Sequence, residues 1–226
     1  MPDDLWALAL AFGKSLGFVF ATLLPILNPA ATAPIFLGLT EGASARTRAV
    51  LARRIARNMA LLMIGSMVVG SYVLDLFGIS LPIVRVGGGM IVAANAWRLL
   101  NADHVTNDSR QALAETFTPE QASRQAFYPL TFPISCGPGS IAAAITLGVT
   151  LNDPVLSMSL ARFGGGALAV VGVGIVMFLA FRYATQMLRP LGETGTLVFL
   201  RLSAFILLCL GVQIVWDGVR ELIQSL

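Results

Sequence analysis

Residues 25–40 read PILNPAATAPIFLGLT, and residues 133–150 read PISCGPGSIAAAITLGVT. Each stretch opens on Pro-Ile, carries another proline four or five residues on, and closes on LGLT or LGVT. A proline inside a helix removes one backbone hydrogen bond and clashes with the preceding turn. Asn28-Pro29 and Gly137-Pro138 also have the chemistry of a fresh helix start, because Asn and Gly serve as caps and Pro is preorganised for the first helical position. Both stretches are therefore expected to break and restart, giving half-helices from Pro29 to about Thr40 and from Pro138 to about Thr150. The first would rise roughly 18 Å, about half of a bilayer.

The surrounding sequence puts these breaks in a membrane. The 226-residue chain is 56% hydrophobic and 12% charged, with a mean hydropathy of +0.80, whereas a soluble domain carries about 25% charged residues. Apolar stretches long enough to cross a bilayer are read at 15–38, 59–77, 80–100, 127–149, 163–182 and 196–216. They use the whole of 1–226 as a single transmembrane domain, with a first repeat over 1–100, a loop over 101–126 and a second repeat over 127–226. Arg85 and Arg201, each about five residues inside its span, fall at corresponding places in the two halves. Three spans per repeat is an odd number, so the second copy must insert upside down. The expected fold is an all-α membrane protein of six transmembrane helices, built as two inverted three-helix repeats with helices 1 and 4 broken at the midplane. Matching interruptions in inverted repeats are the sequence pointer to a secondary transporter and its binding site.

The net charge of +3 and pI near 9.3 do not indicate nucleic acid, because the basic residues sit in turns. Arg46, Arg48, Arg53, Arg54 and Arg57 precede the second span, Arg98, Arg110 and Arg124 follow the third, and Arg182 and Arg189 lie between the fifth and sixth. The alternate loops and tails hold Lys14, Arg162 and Arg220. Under the positive-inside rule this bias places both termini outside the cytoplasm. The acidic start, with Asp3 and Asp4, lacks the signature of a cleaved signal, so the first span is expected to be retained. Cys136 and Cys209 lie in apolar segments and suggest buried thiols rather than a disulfide or a metal site. Thr118-Pro119-Glu120-Gln121 has a capping-box pattern for a short surface helix, and His104 in the same loop is expected to be solvated.

A helix N-terminus offers unpaired amides and about half a positive charge, which suits a carboxylate. The expected substrate-binding residues are Asn28, Pro29, Ala30, Ala31 and Thr32 at the first break. At the second they are Thr131, Ser135, Gly137, Pro138, Gly139 and Ser140. The amides of Ala30, Ala31, Gly139 and Ser140 would donate, while carbonyls ending near Leu27 and Cys136 would accept from an ammonium or hold a cation. That combination fits a zwitterion, and the small flanking residues leave room for a small neutral side chain. Arg85 and Arg201 are costly in lipid, so they are read either as gating or ion-pair candidates, Arg85 with Asp75 and Arg201 with Glu193, or as side chains that snorkel from near a helix end. The glycine runs 87–89 and 164–166 are read as helix-packing sites. With its one histidine in a loop and no HExxH motif, the chain is not expected to be an enzyme. No cofactor or metal is expected, although H⁺ or Na⁺ could couple transport. Oligomeric state is not readable. The alternatives are a channel for small polar solutes, or a structural or regulatory membrane protein that transports nothing.

Taken in order, NPAATAPIFLGLT, FGISLPIVRVGGGMIVA, YPLTFPISCGPGSIAAAITLG and RLSAFILLCLGVQIVWDGV resemble the MarC family of prokaryotic inner-membrane proteins over nearly the whole chain. The resemblance implies a multi-pass inner-membrane location and, from relatives similar to glycine and alanine transporters, a small neutral amino acid substrate. It also implies a distant relation to LysE-type amino acid exporters. Carried over, the binding segments are Asn28 to Thr32 and Gly137 to Ser140.

Overall fold

The computed structural model describes residues 2–40, 42–101 and 126–224, without the side chains of 2–4 and 193. His104, the Thr118–Gln121 capping pattern, Arg110 and Arg124 lie outside the described residues. Within them the regular structure is helical: α1 (Pro2–Leu27), α2 (Pro29–Leu39), α3 (Ala45–Leu76), α4 (Leu81–Leu100), α5 (Pro138–Leu151), α6 (Leu156–Arg182), the short α7 (Ala184–Leu188) and α8 (Gly192–Gln224). A segment of wide turns, Ala126–Ser135, leads into α5.

Among the described residues, five helices are long and apolar enough to cross a bilayer, namely Leu5–Leu27, α3, α4, α6 and Thr194–Gln224. The 126–135 segment and α5 make a sixth if taken together, although their axes bend by 73°. The expected span over 15–38 needs correction. Because α1 is continuous from the acidic start to Leu27, it is a full span by itself, and α2 is an additional short apolar helix. Lys14 interrupts the apolar run without interrupting the helix.

Local chemistry sets the ends of α3. Ser44 Oγ accepts from the Thr47 amide at 3.1 Å, an N-cap worth about 1 kcal/mol. Gly78 adopts φ +64° just past the helix, and the Ile79 amide closes back onto Leu74 O at 2.9 Å, the left-handed stop that glycine favours. The 32 residues of α3 run about 48 Å, longer than the hydrocarbon core of roughly 30 Å. Its arginine-bearing first turns therefore have room to stand beyond the membrane.

Packing follows small residues. Helix α1 lies along α6, α3 against α5 and α6, α4 against α5, and α4 along α8. A Cβ at Gly165 would overlap the Phe12 carbonyl of α1, and one at Gly148 the Met67 carbonyl of α3. The glycine runs divide by position: Gly88 and Gly89 pack tightly on Ala142 and Val215, while Gly87 has nothing within 4 Å. Met59, Met63 and Met67 form a buried stripe of α3 at the four-residue spacing of one helix face.

Candidate functional site

The first break is one residue wide. Asn28 stands between α1 and α2 at φ 44°, ψ 67°, a left-handed conformation that Asn tolerates better than most residues. Hydrogen bonds run into it and out of it. Its amide donates to Leu24 O at 3.1 Å, and its carbonyl accepts from the Ala31 and Thr32 amides at 3.1 and 3.0 Å. The side chain adds two more: Oδ1 accepts from the Ala31 amide at 3.1 Å, and Nδ2 donates to Ser203 O of α8 at 3.4 Å. Beyond α2, Arg48 caps the far end by donating to Thr40 O from Nε and Nη2 at 3.3 and 3.2 Å. Sequence reasoning read Arg48 as a topology signal only.

The second break is built differently. Residues 128–135 repeat an aromatic-Pro-aliphatic-hydroxyl unit, YPLT then FPIS. Tyr128 and Phe132, each before a proline, have extended rather than helical dihedrals, as the steric restriction on pre-proline residues favours. Both Tyr128-Pro129 and Phe132-Pro133 are cis. Thr131 and Ser135 each donate a hydroxyl hydrogen five residues back, to Ala126 O and Leu130 O, both at 2.6 Å. Gly137 then caps α5 with Pro138 at its start.

All four hydroxyls expected to face substrate are buried and donate to local backbone. Besides Thr131 and Ser135, Thr32 donates to Asn28 O at 3.0 Å and Ser140 to Gly137 O at 2.7 Å. The Ala31 and Ser140 amides bond within their caps. These groups stabilise the two breaks, because a buried polar group without a partner is costly. Of the candidates at the second break, Gly139 lies on α4, where a Cβ would come within 3.1 Å of Gly88 O.

Gly139 also lines a cavity of about 360 Å³ between α1, α4, α5 and α8. Its lining includes the charged Arg85 and Asp217 as well as Gly88 and Gly139. From Gly139 to Thr150, which also lines it, α5 rises about 16 Å. Thr146 Oγ1 is buried there without a hydrogen-bond partner. A larger groove of about 490 Å³, beside α3 and Phe127, has no charged lining residue, and is a poor match for a charged solute.

The expected Arg85–Asp75 pair is corrected. Arg85 pairs with Glu221 of α8 through Nη1 and Oε2, because α4 lies along α8 and brings the first turns of one beside the last turns of the other. The Glu193 side chain expected to pair with Arg201 lies outside the described residues. Sequence reasoning missed Glu221 and Asp217, which sit beyond the expected end of the last span, although their four-residue spacing put them on one helix face. Among the described residues, no group of three or more His, Cys, Asp or Glu side chains could hold a metal ion.

Long apolar helices, a bent helix pair and tight glycine seams define an integral membrane protein. The family model described as MarC family integral membrane protein matches residues 13–223, and the chain belongs to that family. It is 30% identical over 214 residues to the inner membrane protein MarC of Escherichia coli K12, covering 94% of this chain and 97% of that protein. The same description, identity and coverage hold for relatives from Escherichia coli O6:H1 (strain CFT073) and Citrobacter koseri. No solved structure matches the chain significantly.

Proposed function

We propose that the chain is an inner-membrane secondary transporter of small neutral amino acids. In this reading α1 with the short α2, and the 126–135 segment with α5, are the corresponding first elements of two inverted repeats, and substrate binds beside the restarted helices. The observation that carries it is one cavity lined both by the charged Arg85 and Asp217 and by Gly139 in the first turn of α5. A cavity bearing one cation and one anion suits a zwitterion, and the α5 N-terminus favours negative charge.

Helix neighbours support the repeat. Exchanging first span for fourth, second for fifth and third for sixth turns the α1–α6 pairing into α5–α3, and returns α4–α8 and α3–α6 to themselves. Both restarted helices also abut the third span of the opposite half, Asn28 through Ser203 of α8 and Gly139 through Gly88 of α4. The hydroxyls first expected to bind substrate act as struts, so the substrate's polar contacts come from helix-terminal backbone and from the cavity.

Purified protein in liposomes, given labelled glycine and alanine under imposed Na⁺ or pH gradients, tests the reading. Saturable uptake driven by one gradient supports it and identifies the coupling ion. Liposomes that take up neither amino acid above protein-free controls contradict it.

A further inference from the structure

We infer that the charged lining of the cavity is a docking site for the zwitterionic head of an α-amino acid. In it Arg85 takes the carboxylate, Asp217 takes the ammonium, and Glu221 is an internal occupant that the substrate carboxylate displaces. The inference rests on the transport reading above and adds the residues that recognise the substrate's two charges.

Arg85 is the fifth residue of α4, and its side chain is 20% exposed. A guanidinium so far from free solvent needs an anionic partner. Glu221, 43% exposed, supplies it from the neighbouring helix. Yet the pair is a one-point contact, Nη1 to Oε2, whereas a guanidinium carries five donors in a fork that matches a carboxylate bidentately. The fork has capacity for a second, better-shaped carboxylate.

Asp217 lines the same cavity, one helical turn before Glu221. Its Oδ1 accepts from Gln213 Nε2 at 2.9 Å, which orients the carboxylate and leaves lone pairs for an ammonium. Charge selects the ligand class. A simple anion meets Asp217 and Glu221, a simple cation meets Arg85, and a zwitterion satisfies both sides. Displacing Glu221 exchanges one carboxylate for another at Arg85, so no charge is left buried and unpaired. The partnerless Thr146 hydroxyl and the apolar Phe18, Ala142 and Ile214 line the same cavity, suiting a ligand with a polar head and a small apolar side chain.

The test titrates the full-length protein in detergent with alanine, propionate (no ammonium) and ethylamine (no carboxylate), reading affinity by calorimetry. Alanine should bind at least about tenfold more tightly than either analogue. Arg85→Gln and Asp217→Asn should each weaken alanine by about tenfold or more, while Glu221→Gln should tighten it by removing the competitor. Arg85→Lys, which keeps the charge and loses the fork, should weaken it too and serves if Arg85→Gln does not fold. A purely structural ion pair gives a different pattern, in which Glu221→Gln weakens binding as Arg85→Gln does, and that result overturns the inference. So do folded variants that bind alanine as wild type does; if wild-type uptake persists, the transport reading survives them. A wild-type protein that neither binds nor transports alanine removes both.

Discussion

Asn28 does the work of a hinge and a cap together: its backbone carries the hydrogen-bond ladder across the break, and its side chain ties that break to α8. Asn28→Ala loses the cap and places a less tolerant residue at positive φ, so it should destabilise the fold by about 1 kcal/mol or more, measured by unfolding in detergent. Asn28→Gly keeps the backbone freedom and should be milder, by a few tenths of a kcal/mol. If the side chain positions the substrate site, both variants should lower alanine uptake per folded molecule; unchanged normalised uptake in both would separate the cap from transport. The identity of this cap was legible in Asn28-Pro29, since few residues suit both positions. Its left-handed backbone was not, because N-caps are ordinarily extended. Nor could sequence say that Thr32, Thr131, Ser135 and Ser140 donate to backbone three to five residues away, since a hydroxyl beside a proline reads alike whether it faces a ligand or repairs a helix.

Among elements, the seams depend on which glycine faces a neighbour. Gly165→Val would drive a branched side chain into the Phe12 carbonyl of α1, and Gly148→Val into Met67 of α3. Each should destabilise by about 1–3 kcal/mol, seen as a lower unfolding temperature and less monodisperse protein. Gly87→Ala, with open space around it, should change stability little, with a slight gain from helix propensity; a loss matching Gly165→Val would mean that the α4 seam runs along a different face. The runs at 87–89 and 164–166 were legible as packing motifs, but the facing residue depends on how α4 meets α5 and α8. The second break was half legible. Gly137-Pro138 marks the restart of α5, yet the two wide turns before it arise from the YPLT and FPIS units acting together. Those turns leave the second half with a compact segment where the first half has the full-length α1.

At the scale of the whole molecule, the apolar spans were legible because bilayer thickness acts on sequence directly. The Arg85–Glu221 pair was not, because its partners are 136 positions apart and meet only when α4 and α8 align. Both termini are expected outside the cytoplasm, so a periplasm-dependent reporter fused after residue 226 should be active and a cytoplasm-dependent one silent. The reverse would invert the topology and remove the argument from positive charge. A substrate site reached alternately from the two sides of the membrane has a direct signature in counterflow. Liposomes carrying the purified protein are loaded with excess unlabelled alanine and diluted into a trace of labelled alanine, with no ion gradient. A carrier must exchange the two, giving a transient accumulation of label above equilibrium that vanishes without internal alanine. Label that only equilibrates, at the same rate with or without internal alanine, would contradict a carrier and indicate a pore.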